Sequence, residues 1–463
     1  MRTTVGVLVP ARSATEATVP NATASGSTSN SSATWRKAGV SDDWASREEM
    51  LGTCGTRAEV MSCMLHRMNQ SIQGGSAPVE RVELFEARVP LSELARGAMA
   101  ASDNGLGMAI PTEEPWLEAD FLFCRLVDEN GVEGWGEAYV WLPESGVSNR
   151  DMASAIEHHL AAYVLGSQPI AVQALAARMD RNVARNEMAK GLIDIACHEL
   201  AARQIGRPVH DLIGGATVDR IPLCGLIPLA SPTTVAAIAA GYQKAGYGTV
   251  RIKLGTGPTE DRDVIAAVRE RCGDQLRLRV DYNQAYSAAG AARALALIEP
   301  FGIDGAEQPL PMSDLVGMVD LARRTNVPLF LHEGFFNLGD LVALVEAGGC
   351  GVVGINGERP GGITAALRAI DFASARGLGT IIHNQPLGIG AAMHAHLAAA
   401  RFDRLGHAVE LAGDVMFDQH LTTTRYAMED GHLVLPGGPG WGIDVDRHAL
   451  DDHLVAAPIS IGR

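Results

Sequence analysis

From about residue 220 onward, short apolar runs alternate with longer stretches of helical periodicity. Eight runs have strand character: 220–226, 249–254, 276–281, 305–307, 328–333, 351–356, 380–384 and 407–410. The stretches 259–271, 288–298, 313–324, 338–347, 364–375 and 390–400 repeat apolar residues at helical spacing. Strands alternating with helices of this length predict a parallel sheet with helices packed outside it. Eight such units in roughly two hundred residues predict a closed (β/α)8-type barrel, an α/β fold. Upstream, 81–88 and 120–128 read as strands, 131–137 as a hairpin continuation, and 149–202 as helical.

The strand ends carry the chemistry. Asp281, Glu307 and Glu333 are each 26 positions from the next, and each closes one of the apolar runs. That step matches one βα unit, so the three carboxylates converge at the C-terminal mouth of the barrel, where such folds keep their active sites. Three carboxylates with nothing soft beside them suit a hard six-coordinate cation such as Mg²⁺. Arg251 and Lys253 lie at i and i+2 on the preceding strand and so share one face. Asn283, two residues beyond Asp281, shares the face of that carboxylate and is expected to contact substrate. His332 is expected to point away from Glu333 and pack internally.

These pieces, in this order, resemble the enolase superfamily in its mandelate racemase/muconate lactonizing enzyme branch. The motifs are Arg251-Ile252-Lys253, Asp281-Tyr282-Asn283-Gln284, Glu307-Gln308-Pro309, the Gly361-Gly362 pair, and the stretch from Ala189 to Ala196 followed by Gly206-Arg207-Pro208. The resemblance spans about residues 79–453. It implies an α+β capping domain whose loops, 94–114 and 139–145, close over the barrel mouth. Closure of that kind expels water from the site. Trp141 in the second loop is a candidate for substrate contact, with ordinary packing as the alternative. The expected organisation is an extension over 1–78, a capping domain over 79–205, the barrel over 206–420, and a segment over 421–463 that returns to the cap.

The resemblance also assigns roles. Removing a proton next to a carboxylate builds an enediolate, whose charge a divalent cation offsets. Lys253 is then the first candidate base. The family usually has lysine where Arg251 stands, and Arg251 is expected to hold the substrate carboxylate with its planar fork. His383 corresponds to the histidine of mandelate racemase and the acid-sugar dehydratases. Those enzymes back it with an aspartate where this chain has Asn356. An amide orients an imidazole but brings no charge, so His383 is expected to be a weaker base, with Asn356 near the substrate. Cycloisomerases and acylamino-acid racemases carry lysine at the position of Asn356. Glu410 matches a protonated acid that donates to the intermediate, or is a structural carboxylate. The implied reaction is dehydration of a hydroxy acid or acid sugar. Alternatives are a two-base racemase or epimerase using Lys253 and His383, and a barrel that binds carboxylates without turnover.

Composition narrows this further. Residues 13–34 are almost entirely Ser, Thr, Ala, Asn and Gly, too polar to offset chain entropy. A net charge of −16 disfavours nucleic acid and anionic membranes as partners. No apolar run reaches the roughly 18 residues of a membrane span. Seven scattered cysteines fit reduced thiols in a cytoplasm. The expected partner is a small carboxylate, and the resemblance implies a homo-oligomer.

Overall fold

The computed structural model describes residues 76–100 and 116–463. Most of the expected extension, and most of the first expected lid loop, therefore lie outside the described residues. The first sheet is antiparallel. It contains β1 (Val79–Pro90), β2 (Glu118–Asp128) and β3 (Glu133–Val140). Small strands β4 (Arg220–Pro222), β13 (Met428–Glu429) and β14 (His432–Val434) form a second sheet. The third sheet holds eight parallel strands in sequence order: β5 (Cys224–Ile227), β6 (Thr249–Lys253), β7 (Arg277–Asp281), β8 (Ile303–Glu307), β9 (Leu329–Leu331), β10 (Val352–Ile355), β11 (Gly379–Asn384) and β12 (Glu410–Leu411). The last strand, β15 (Ile459–Gly462), pairs antiparallel with β1 at the edge of the first sheet.

The eight strands close on themselves. Cys224 N donates to Val409 O at 2.8 Å and Val409 N donates to Pro222 O at 2.9 Å, joining the first strand to the last. The run expected as one strand over 220–226 is in fact two. Pro222 has no N–H to continue a ladder; its carbonyl serves the barrel closure, while β4 turns away to β14. The expected helical stretch 149–202 is likewise several helices. Pro169 opens a new turn, and Arg185 and Asn186 adopt left-handed φ of 59° and 60° before the helix Glu187–Gln204.

That helix is buried along its whole length from Met188 to Ala202, and its polar residues Lys190, Asp194, His198 and Glu199 are buried with it, each held by a polar partner. One side packs on β3, where a Cβ on Gly134 would lie 2.4 Å from Leu200 N. On another side a Cβ on Gly191 would lie 2.4 Å from Glu358 O in the loop after β10. Close approach at both glycines lets the helix tie the cap sheet to the barrel rim. A second tie is Glu137 of β3, whose carboxylate accepts from Leu387 N at 2.6 Å and Gly390 N at 3.0 Å. These amides open the helix Gly388–Ala400, whose unpaired N–H groups favour an anion.

Along β6, Val250 and Ile252 join the apolar layer between strands and helices. The alternate residues Arg251 and Lys253 therefore point into the barrel. Among the described residues no single helix is long and apolar enough to cross a membrane. The five described cysteines are unpaired, four of them buried.

Candidate active site

Parallel register assembles the site. Lys253 pairs with Asp281 across β6 and β7, and Asp281 with Glu307 across β7 and β8. His383 pairs with Glu410 across β11 and β12. All five side chains are buried, as is Glu333 just past β9.

Lys253 Nζ lies 2.6 Å from both Asp281 Oδ2 and Asn283 Oδ1. Asn283 also donates its backbone N–H to Asp281 Oδ1 at 2.9 Å, and its Nδ2 donates to Glu333 Oε1 at 3.3 Å. Gln284 donates to the other oxygen of Glu333. The residues after β7 and β8 hold rare backbone conformations: φ is 41° at Asn283, 65° at Gln284 and 35° at Gln308. Such strain collects at functional sites, and here it turns Asn283 and Gln284 back over the strand ends.

Arg251 corrects an expectation. Its Nη1 lies 2.9 Å from Asp281 Oδ2 and 3.1 Å from Glu307 Oε2, and its Nη2 lies 2.9 Å from Glu410 Oε1. The fork expected to hold a substrate carboxylate is occupied by three carboxylates of the protein itself. Residue 251 is thus the counter-charge around which the acidic cluster is built.

Glu410 also differs from expectation. Burial pushes its carboxyl up, but Arg251, His383 and Arg279 together bring it down to about 2. Arg279 Nη2 lies 3.2 Å from Glu410 Oε2. An ionised carboxylate in that position fits the structural alternative and not the protonated donor that the resemblance implied. Its Oε1 instead lies 2.9 Å from His383 Nδ1. His383 therefore has a carboxylate neighbour, on the opposite flank from Asn356. The Asn356 side chain turns away to accept from Arg359 N at 3.2 Å and does not line the cavity.

His332 overturns the packing expectation. Because β9 ends at Leu331, strand alternation no longer governs the next two residues. His332 Nδ1 sits 3.3 Å from Glu307 Oε1, and its ring is 4.3 Å from that of His383. Glu307, His332 and His383 bring ligand-type atoms within 4.8 Å of one another, so two imidazoles do stand beside the carboxylates. Burial, Arg359 and His383 hold the His332 imidazole below its usual range.

The cavity at the centre, about 310 Å³, is lined by Lys253, Asn283, Glu307, Glu333 and His383, together with Arg251 and Trp141. Asp281 and Glu410 stand behind this wall. Sequence reasoning missed four contributors. Glu144, from the turn Leu142–Ser145 of the cap, reaches the cavity and pairs with Arg359. Trp116 stacks on Trp141 with ring centres 5.7 Å apart, Tyr139 completes that wall, and Gln385 Nε2 lies 3.4 Å from His383 Nε2. Gln385 follows His383 by two residues, a signal that was available. Tyr139 and Glu144 fall within the expected lid loop 139–145 without an individual role, and Trp116, just before β2, carried no signal.

Asp281, Glu307 and Glu333 are all-oxygen groups at or just past the ends of successive strands, the donor type a hard cation prefers, although the ligand atoms that lie within 4.8 Å of one another are those of Glu307, His332 and His383. Burial and the charges of Glu144, Asp281 and Glu307 push the Glu333 carboxyl up to about 8, so the cluster is short of positive charge. Imidazole donors suit borderline metals, whereas carboxylates suit Mg²⁺, and one His383 ring nitrogen is already against Glu410.

Comparison with known proteins bears on what such a site does. The family model described as "Enolase C-terminal domain-like" matches residues 234–449. The one described as "Mandelate racemase / muconate lactonizing enzyme, N-terminal domain" matches residues 103–214. N-succinylamino acid racemase from Amycolatopsis sp. is 31% identical over 352 residues, covering 74% of this chain and 92% of that protein. Muconate cycloisomerase 1 from Acinetobacter baylyi is 27% identical over 341 residues, covering 71% of this chain and 90% of that protein. Among solved structures, the dipeptide epimerase from Enterococcus faecalis, complexed with Mg and the dipeptide L-Leu-L-Tyr, superposes with a TM-score of 0.71 at 26% identity. That match covers 79% of this chain and 99% of that one.

Proposed function

Since this chain belongs to the enolase superfamily, in its mandelate racemase/muconate lactonizing enzyme branch, we propose that it moves the proton next to a substrate carboxylate with Lys253 and His383 as its two acid/base groups. The observation that carries this reading is their placement: both line one small cavity, and His383 has Glu410 behind it. The enolase-type reaction is common to the branch. What is proposed for this chain is racemisation or epimerisation of a 2-hydroxy or amino acid derivative.

In this reading Asp281, Glu307 and Glu333 hold Mg²⁺, whose charge offsets the negative charge that builds on the substrate carboxylate. Lys253 takes the proton on one face. Asp281 and Asn283 hold its amino group in position, so little orientation is left to chance. His383 returns a proton on the other face, and Glu410 fixes the ring and offsets the imidazolium charge. Arg251 keeps the acidic cluster together. Glu144, Trp116 and Trp141 cover the cavity from the cap and exclude water.

Dehydration of a hydroxy acid is the second reading. It is favoured by Asn356, which stands where acylamino-acid racemases carry lysine. Racemisation needs a second competent base, and the Glu410 carboxylate 2.9 Å from His383 Nδ1 supports one.

The test is α-deuteration in D₂O with Mg²⁺, over a panel of N-acyl amino acids, dipeptides and 2-hydroxy acids. Under the leading reading, Lys253→Ala and His383→Ala each keep exchange for one enantiomer and lose it for the other. Under dehydration, 2-keto acid accumulates, Lys253→Ala loses all exchange, and His383→Ala keeps exchange without 2-keto acid. Glu307→Gln or excess EDTA should abolish turnover with the fold intact; full activity in EDTA would rule the metal out.

A further inference from the structure

A second cavity opens directly off the reaction site. It is a cleft of about 890 Å³, counted out into the solvent at its mouth, and shares Trp116, Arg251, Lys253 and Gln385 with the smaller one. Its remaining wall is almost wholly apolar. Leu94 and Ala98 face it from the cap helix Glu93–Ala100, Leu226 from β5, Ile238 from the helix Pro232–Lys244, and Met416 from the turn after β12. The polar groups on the wall have other work. Tyr242 donates its hydroxyl to Leu226 O at 3.1 Å. The two amino groups of the Arg251 guanidinium hold carboxylates, and Lys253 is held by Asp281 and Asn283.

Resting on the proton-transfer reading above, we propose that this cavity takes the non-reacting part of the substrate, and that this part is an alkyl or aryl chain. The reacting carbon must lie beside Lys253, and Lys253 stands on the boundary between the two cavities. A substituent on that carbon therefore has the larger, apolar cleft as its nearest space. A polyhydroxylated chain placed there would exchange water for leucine, isoleucine and methionine. Each hydroxyl buried without a partner would lower affinity by roughly tenfold. Each methylene of an alkyl chain would raise it by about fourfold. The wall thereby favours hydroxy acids and acylated amino acids with apolar side chains over acid sugars.

The experiment uses the full chain with Mg²⁺ and separates binding from turnover. Calorimetric titration with butanoate, hexanoate, octanoate and D-gluconate reads the cavity without any reaction. Exchange kcat/KM for 2-hydroxybutanoate, 2-hydroxyhexanoate and 2-hydroxyoctanoate reads it during turnover. Affinity should climb by about fourfold per methylene, with D-gluconate weakest. Ala98→Phe, which fills the cavity from a half-exposed helix position, should collapse the ratio of octanoate to butanoate affinity. Ile238→Gln, which keeps most of the wall's volume but makes it polar, should flatten the same ladder. The proposal is overturned if D-gluconate binds as tightly as octanoate, or if the ladder survives both substitutions unchanged. A ladder in binding with no exchange on any acid would leave the cavity assignment standing and sink the proton-transfer reading instead.

Discussion

Glu410 at the end of the barrel and Glu137 in the cap sheet are both almost completely buried, yet their surroundings drive them to opposite states. Around Glu410, Arg251, His383 and Arg279 overcome desolvation and hold the carboxyl at about 2. Around Glu137 there are backbone amides, and desolvation prevails: the carboxyl rises to about 8 despite its bonds to Gly390 and Leu387. Burial alone thus says nothing about the charge of an acid. Fixed cations do, because in a poorly screened interior each is felt strongly, whereas peptide dipoles only soften the cost. One glutamate is a permanent anion that organises the catalytic side of the barrel. The other is a largely protonated tie between layers at neutral pH.

The contrast can be broken most severely at Glu410. Glu410→Gln leaves buried cations short of a partner and should cost about 3–5 kcal/mol, measured by urea unfolding. If His383 depends on Glu410, proton exchange should also fall by about 10²–10⁴. A stable, fully active Glu410→Gln protein would show that the cluster is decorative. The pH dependence of stability should then divide the two residues. The Glu410 carboxyl is lowered from 4.5, so its contribution is present above 4.5 and lost as pH falls toward 2. The Glu137 carboxyl is raised from 4.5, so stability is lost as pH rises from 4.5 to about 8, at up to about 1.4 kcal/mol per pH unit. Each slope should vanish in its own variant and persist in the other; calorimetric melting across pH 3 to 9 checks both. A smaller effect is expected from Glu137→Gln near pH 6, about 1 kcal/mol. Above pH 8 that variant should be at least as stable as the parent. Asn356→Asp should matter least, changing exchange by no more than about twofold and adding to His383→Ala without coupling. A double-mutant cycle with large coupling there would return Asn356 to the role first expected of it.

The barrel was legible because each βα unit announces itself locally, and the acids were legible because each closes its own apolar run. Lys253, Asp281 and Glu307 fall side by side only because a register shift between Leu278 and Arg279 brings Asp281 level with Glu307, while Glu333 lies three residues past Phe330, the strand partner of Glu307. The seventh and eighth strands were equally readable, but His383 has two neighbours, Asn356 and Glu410. Choosing between them depends on side-chain reach and on what Arg359 N takes, neither of which is a pattern. His332 was misread because alternation assumes that the strand continues, and β9 stops one residue earlier. The roles of Glu144 and Trp116 and the apolar wall near Lys253 could not be read at all. They depend on how the cap meets the barrel, a distance in space with no counterpart in spacing along the chain.

The pairing of β15 with β1 sets an order of events during synthesis. Arg81 has Gly462 as its partner, and Leu84 has Ile459, so the edge of the cap sheet waits until the entire barrel has left the ribosome. A chain emerging from its N-terminus can form β1, β2 and β3 early, but with one flank of β1 exposed throughout translation. An unpaired strand edge is an invitation to the wrong partner. The cap therefore depends on a strand made after the barrel to protect one made before it, and a nascent chain stalled before residue 459 would be the form most prone to stick to its neighbours.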